Sequence, residues 1–159
     1  MYNQTNTTIS LISIRTIKSF SFFQDMEYIV NNEYGSLVYL RKKQIQIKER
    51  SLYVINHICK LKLTSLKSYS TGIKLTLDYK YNIPILLNHY LYLCPLGNMQ
   101  NYETIWVNYK EISNIRLDNE KMILCFYSGN EISIEKNFSF WKQLENKILK
   151  IEKYLEKIK

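Results

Sequence analysis

The chain has few of the residues on which most enzymes and metalloproteins depend. It contains two histidines and four glycines, and it has no glycine-rich phosphate loop, dinucleotide-binding fingerprint or H-E-x-x-H pair. His57 and Cys59 form an H-x-C pair, but a structural zinc needs four ligands at close spacing and no second pair is present. Its carboxylates are scattered beside lysines, without a pairing typical of acid–base catalysis. We therefore predict no catalytic site, no metal site and no cofactor.

Disulfide spacing, export signals and membrane spans are also absent from the sequence. Cys59, Cys94 and Cys125 are dispersed among apolar neighbours with no C-x-x-C, which is typical of reduced, buried thiols. Arg15 and Lys18 interrupt the first apolar stretch, so there is no apolar core of a signal peptide. No run approaches the ~18 apolar residues of a membrane span. These absences predict a cytoplasmic protein with no membrane partner.

What is present indicates one folded domain. The 159 residues are 46% hydrophobic and 23% charged, an ordinary globular composition. We expect residues 1–8 to form a flexible N-terminus and residues 9–159 to form a single β-rich domain. Alternating apolar and polar residues predict many short strands, and residues 96–103 read as a loop. The predicted strands are 9–17, 34–40, 44–47, 53–59, 73–79, 83–87, 90–94, 105–108, 112–117, 122–127 and 131–134.

A long amphipathic helix is predicted over about residues 139–158, with Asn137 or Ser139 as its N-terminal cap. Its apolar residues follow a 3-4 spacing that suits either packing on the sheet or a short coiled coil. They are Trp141, Leu144, Ile148, Ile151, Leu155 and Ile158. We expect burial near the N-terminal end and an oligomer contact at Ile151, Leu155 and Ile158. The predicted fold is mainly β (α+β), an antiparallel curved sheet or partly closed barrel capped by this helix.

Positive charge is concentrated in one quarter of the chain. Residues 41–80 hold ten basic residues against two acidic ones, a balance of +8 that equals the net charge of the whole chain. Charge gathered in this way is typical of a surface that meets a polyanion. A solvated face without function is the alternative, and a bias towards A/T-rich codons inflates the lysine count. Codon bias does not explain why the excess lies in one segment.

Several short motifs recur in a fixed order along residues 34–150. They are Glu49-Arg50-Ser51; Ile83-Pro84-Ile85 leading to Leu91-Tyr92-Leu93-Cys94-Pro95; Ile105-Trp106-Val107-Asn108 with Ile112; Phe126-Tyr127-Ser128-Gly129; and Ser139-Phe140 with Gln143. In this order they resemble the ComK family of competence transcription factors of Gram-positive bacteria. The resemblance implies a cytoplasmic, nucleoid-associated activator that binds A/T-rich promoter boxes as a homodimer or higher oligomer. It also implies control of DNA-uptake genes and a proteolytic adaptor as a further partner.

The chain departs from the family pattern in two places. Members tend to have a glycine-rich, aromatic segment ending in Gly-Arg, whereas residues 53–62 contain no glycine and carry lysines instead. The chain also ends soon after the predicted helix, where relatives often continue. These departures predict a divergent, shortened paralogue with weaker or altered DNA binding.

The first functional hypothesis is a regulator that binds double-stranded, A/T-rich DNA. Basic side chains would hold phosphates, and arginine or lysine would enter the narrow A/T-rich minor groove. Arg50 is the best single candidate because it lies in a matched motif and carries a guanidinium. Fourteen tyrosines also allow base stacking, although core and edge roles are favoured for them. The candidate DNA contacts are Arg41, Lys42, Lys43, Arg50, Lys60, Lys62 and Lys67.

The second hypothesis comes from residues 106–158, which are similar to the last part of PH-like domains. A module of that kind would bind an anionic membrane surface or a peptide, and a basic cluster would serve it as well.

Overall fold

The computed structural model describes residues 11–159. The predicted flexible N-terminus and the start of the predicted strand 9–17 lie outside the described residues. The strands are β1 (Met26–Asn32), β2 (Gly35–Leu40), β3 (Gln44–Ile47), β4 (Ile85–Asn88), β5 (Leu91–Pro95), β6 (Trp106–Asn108), β7 (Ile112–Asp118), β8 (Lys121–Phe126) and β9 (Glu131–Ile134). The helices are α1 (Ser51–Leu61), α2 (Leu66–Leu77) and α3 (Phe138–Lys157). Short 3-10 helices cover Ile14–Thr16, Phe20–Phe23 and Tyr109–Glu111.

The strands form two antiparallel sheets. The larger has six strands in the order β3-β2-β1-β6-β5-β4, and the smaller has the order β7-β8-β9. Neither sheet closes on itself, so the mainly β, antiparallel prediction is confirmed while the partly closed barrel does not form. Within residues 11–159, no helix is both long enough and apolar enough to cross a membrane.

One face of the larger sheet forms the main core. Ile29 pairs with Val38 on one side and with Trp106 on the other, so the three side chains project from the same face. All three are buried, and helix α1 buries Val54, Ile55 and Ile58 in the same apolar cluster. Helix α1 therefore lies on this face, with its opposite side towards solvent.

The predicted strands 53–59 and 73–79 are wrong, because 53–59 lies within α1 and 73–77 forms the last part of α2. The buried residues of α1 include Val54, Ile55, Ile58 and Cys59, which follow a helical spacing that the many β-branched residues concealed. In the second segment Ile73 is buried whereas Leu75 is 84% exposed, so the apparent two-residue alternation does not match burial. The chain therefore has a helix–turn–helix segment where strands were expected.

Two further differences lie near the start of the described chain. Residues 11–17 contain a 3-10 helix and a single parallel bridge from Ile12 to Ile47, so the predicted strand 9–17 is absent from that part. Strand β1 was missed because a register shift lies between Met26 and Tyr28 and because the buried carboxylate of Glu27 interrupts the apolar pattern.

The prediction for the C-terminal helix is confirmed to within about a residue. Asn137 caps α3, since its side-chain oxygen accepts a hydrogen bond of 2.8 Å from the Phe140 amide. The buried residues of α3 run as far as Ile151. Leu155 is only partly buried, and Ile158 is 61% exposed. The helix is therefore a core element over most of its length.

Burial along α3 predicts a large loss of stability for one isoleucine and a small loss for another on the same helix. Ile151→Ala should lower the free energy of unfolding by about 2–5 kcal/mol, because it leaves a cavity in the core. Ile158→Ala is the matched control and should change it by less than about 0.5 kcal/mol. Urea denaturation followed by circular dichroism measures both values. Equal losses would show that the last turns of α3 are not packed as described.

Candidate nucleic-acid interface

The fold brings five of the predicted lysines to one end of the molecule. The Nζ of Lys43, on the β2–β3 turn, lies 5.9 Å from the ring centroid of Phe22, and the Nζ of Lys62, after α1, lies 5.2 Å from that of Phe20. Both rings belong to the same short 3-10 helix, so the turn and the C-terminal end of α1 meet across it. We call the resulting lysine cluster the basic end. It comprises Lys42, Lys43, Lys60, Lys62 and Lys67.

The helical side of the basic end carries no negative charge, whereas Glu131 lines the same cavity as Lys42 and Lys43. All five lysines are exposed, and none of them forms an ion pair within the described part of the chain. The sequence from Arg50 to Leu77, which includes α1 and α2, contains no aspartate or glutamate. The charges of Lys60, Lys62 and Lys67 are therefore not compensated within the segment that carries them, which suits contact with a polyanion.

Arg41 has a different role from its neighbours on the turn. Its Nε and Nη2 donate hydrogen bonds of 2.8 and 2.6 Å to the two carboxylate oxygens of Glu111, which is 2% exposed. The hydrogen bonds and the negative charge of Glu111 raise the pKa of Arg41 above its ordinary value. Arg41 therefore neutralises a buried carboxylate and fixes the turn, while its side chain stays 51% exposed; its predicted contact with DNA stays a prediction.

Arg50 lies apart from the basic end. It occupies the N-cap position of α1, and its guanidinium carbon is 5.2 Å from the ring centroid of Tyr102. Eleven residues of α-helix span about 16 Å, so Arg50 and Lys60 stand at opposite ends of α1. The predicted contact residues therefore form two groups, joined by the solvent-facing side of that helix.

The Glu49-Arg50-Ser51 motif joins three parts of the chain. The Glu49 carboxylate accepts hydrogen bonds from the Ile14 amide at 2.6 Å and the Ser13 hydroxyl at 3.1 Å. The Ser51 amide donates to the Asn31 side chain at 2.7 Å, which satisfies a free N–H at the start of α1. This motif therefore holds the N-terminal segment, β1 and α1 together.

Lys18 is a basic residue beside this end that the charge pattern of 41–80 did not indicate. The preceding residue, Ile17, shares a hydrogen bond of 2.6 Å between its carbonyl oxygen and the His57 ring on α1. Two residues later, the Phe20 ring lies under Lys62. Lys18 is exposed between these contacts. Its position beside the basic end follows from the tertiary packing of residues 17–20 on α1 and could not be predicted from the sequence.

The tyrosines next to the turn are partly buried and stacked on other aromatic rings. Tyr28 stacks on Tyr39 with 4.1 Å between ring centroids and on Phe126 with 5.5 Å. Burial raises the pKa of Tyr28 well above its ordinary value because the phenolate is disfavoured there. An open cavity of about 370 Å³ beside these rings is also lined by Lys42 and Lys43. The ring stack favours core and edge roles for these tyrosines.

The H-x-C pair serves packing and hydrogen bonding. The His57 ring bonds to the Ile17 carbonyl oxygen, and burial raises the pKa of the Cys59 thiol to about 12 because the thiolate is disfavoured there. No group of three or more His, Cys, Asp or Glu that could hold a metal ion occurs within residues 11–159.

Burial in the fold lowers the number of residues that could form the predicted oligomer contact. Ile151 is fully buried in the core of its own chain, so it cannot lie on a contact surface. Leu155 is partly buried against the same core, and Ile158 is exposed. Of the three predicted residues, Leu155 and Ile158 stay candidates for a contact with a second copy.

Comparison with known proteins gives one match. The family model described as ComK protein matches residues 7–159, which covers every motif described above. No curated protein and no solved structure matches the chain, and the likeness of its last third to PH-like domains stays a prediction. Since the family model spans nearly the whole sequence, the chain belongs to the ComK family of competence transcription factors.

Proposed function

We propose that this chain regulates competence genes by binding A/T-rich double-stranded DNA through the basic end. The observation that carries the proposal is the meeting of the β2–β3 turn and the C-terminal end of α1 across one 3-10 helix. This places five lysines without ion-pair partners on one surface of the described chain.

Binding of this kind draws its free energy mainly from the phosphates. Each phosphate that a lysine neutralises releases condensed counterions, so affinity falls as salt rises. These contacts fix the position of the protein on the duplex without reading its sequence. The lysines of the basic end therefore supply affinity, and another group must supply the preference for A/T-rich sequence.

We propose that Arg50 supplies that preference. The exposed residues Arg50, Tyr53 and Lys60 follow one side of α1, and Tyr53 is 67% exposed. A duplex that runs along this side would meet lysines at one end and a guanidinium at the other. The minor groove of A/T-rich DNA is narrow, and its deeper negative potential attracts an inserted arginine.

The lysines of the turn give the first test. Lys42→Ala with Lys43→Ala should weaken binding to A/T-rich and G/C-rich duplexes alike. The slope of log K against log salt should become shallower by roughly 0.9 for each phosphate that is no longer neutralised. Fluorescence anisotropy of labelled duplexes at several salt concentrations gives the slope.

The matched control is Lys153→Ala with Lys157→Ala, which removes the same charge from exposed positions on α3. It should leave the slope close to that of the unaltered chain. If both double variants flatten the slope equally, the effect reports net charge and the interface lies elsewhere. Binding to vesicles of anionic lipid with no binding to either duplex would instead support the PH-like alternative.

Arg50 gives the second test. Arg50→Ala should reduce the ratio of A/T-rich to G/C-rich affinity towards one, whereas Arg50→Lys should retain most of the salt slope because the positive charge remains. Competition between the two duplexes measures the ratio. Equal losses of affinity on both duplexes would make Arg50 a phosphate contact only.

A further inference from the structure

The linker between α1 and α2 carries a leucine in a backbone conformation that leucine disfavours. Leu63 has a φ of 63°, in the left-handed region where a Cβ crowds the following carbonyl oxygen. The other residues of the described chain with positive φ, apart from glycines, are Asp78, Asn82 and Asn119. Those residue types tolerate the conformation because a short polar side chain can bond locally. Leu63 is the exception among them.

The hydrogen bonds around Leu63 identify a position that glycine usually occupies. The Thr64 amide donates to the Cys59 carbonyl at 3.1 Å, and the Leu63 amide donates to the Lys60 carbonyl at 2.9 Å. This is the pattern of a Schellman motif, with Leu63 at the residue that is most often glycine. The end of α1 would therefore form with less strain if residue 63 were glycine.

Burial does not account for the leucine either. Leu63 is 96% exposed, more than any other large apolar side chain in residues 11–159. A single exposed apolar residue is ordinary on a protein surface. The packing of the folded chain does not explain a leucine that is both fully exposed and in a strained conformation. Strain of this kind is often retained at functional sites.

Lysines surround this leucine. Lys60 and Lys62 precede it, Lys67 follows in the first turn of α2, and no carboxylate occurs between Arg50 and Leu77. An apolar tip among cations complements a minor groove, which has phosphates along its rims and stacked bases at its floor. Proteins that bind this groove often insert a leucine or a similar side chain between base pairs.

We propose that Leu63 is an apolar wedge that enters the minor groove of bound DNA and partly unstacks a base step. The proposal rests on the proposed function, and it names the residue by which the basic end would deform the duplex. Pyrimidine–purine steps such as TA are the most easily kinked. A wedge therefore also favours A/T-rich sites that contain such steps.

The test combines stability with binding, because the two should change independently. Leu63→Gly and Leu63→Asn remove the wedge and suit the left-handed conformation, so their melting temperatures should be unchanged or higher. Their affinity for an A/T-rich duplex should fall by about ten- to a hundred-fold, the value of burying one leucine. The salt slope should stay the same because the charge of the chain is unchanged.

Two matched controls accompany these variants. Leu63→Met keeps an apolar side chain of similar size and should retain most of the affinity. Leu117→Asn removes an apolar side chain that is 63% exposed on β7, and it should leave DNA binding unchanged.

Deformation of the DNA is measured on the same complexes. A duplex with 2-aminopurine at a central TA step should brighten when the unaltered chain binds, since unstacking relieves quenching. Energy transfer between dyes on the two duplex ends should report a bend of about 20–90°. Both signals should be much smaller with Leu63→Asn at saturating protein.

Three results would overturn the wedge. If Leu63→Asn binds and bends the duplex as the unaltered chain does, Leu63 has no such role while DNA binding stands. If the unaltered chain binds neither an A/T-rich nor a G/C-rich duplex, the proposed function fails together with the wedge. If Leu63→Asn loses affinity only for vesicles of anionic lipid, the leucine enters a membrane surface.

Discussion

The ion pair between Arg41 and Glu111 is the constraint on which the shape of the basic end depends. Glu111 is almost fully buried just before β7, and both of its carboxylate oxygens accept hydrogen bonds from one guanidinium. Removing this partner would be strongly destabilising, because it would leave a buried carboxylate uncompensated. The Arg41 amide also donates to the Asp25 carbonyl. The β2–β3 turn is therefore held to the start of β1 and to the 3-10 helix before β7, and the lysines that follow Arg41 are exposed.

Helix α1 brings the remaining charges to that turn. Its start is fixed by the Glu49 carboxylate and by the Asn31 side chain, and its apolar side is buried against the larger sheet. The start of the helix is thereby positioned by contacts that involve none of the basic-end lysines. Along this segment Glu49 and Arg41 hold the fold and the lysines are left exposed, which supports the proposed DNA contact.

The parts of the fold that could be predicted from the sequence are those with local signals. The hairpins over 112–134 and helix α3 follow clear periodicities, and their bounds agree closely with the structure. Helix α1 and the C-terminal part of α2 were mistaken for strands because β-branched residues and short apolar alternations favoured the wrong period. Strand β1 was missed because Glu27 is satisfied by Ser128 and Asn130, which are distant in sequence.

In the candidate site, too, the features with local signals could be predicted and those that depend on the tertiary fold could not. Local charge density indicated the lysines, but the pairing of Arg41 with a carboxylate 70 residues away depends on the tertiary fold. The conformation of Leu63 follows from how α1 ends, which could not be seen while α1 was taken for a strand.

The most direct test of the basic end is a lysine-acetylation footprint of the chain with and without an A/T-rich duplex. DNA should protect Lys42, Lys43, Lys60, Lys62 and Lys67 and leave Lys153 and Lys157 reactive. Protection confined to the α3 lysines would contradict it.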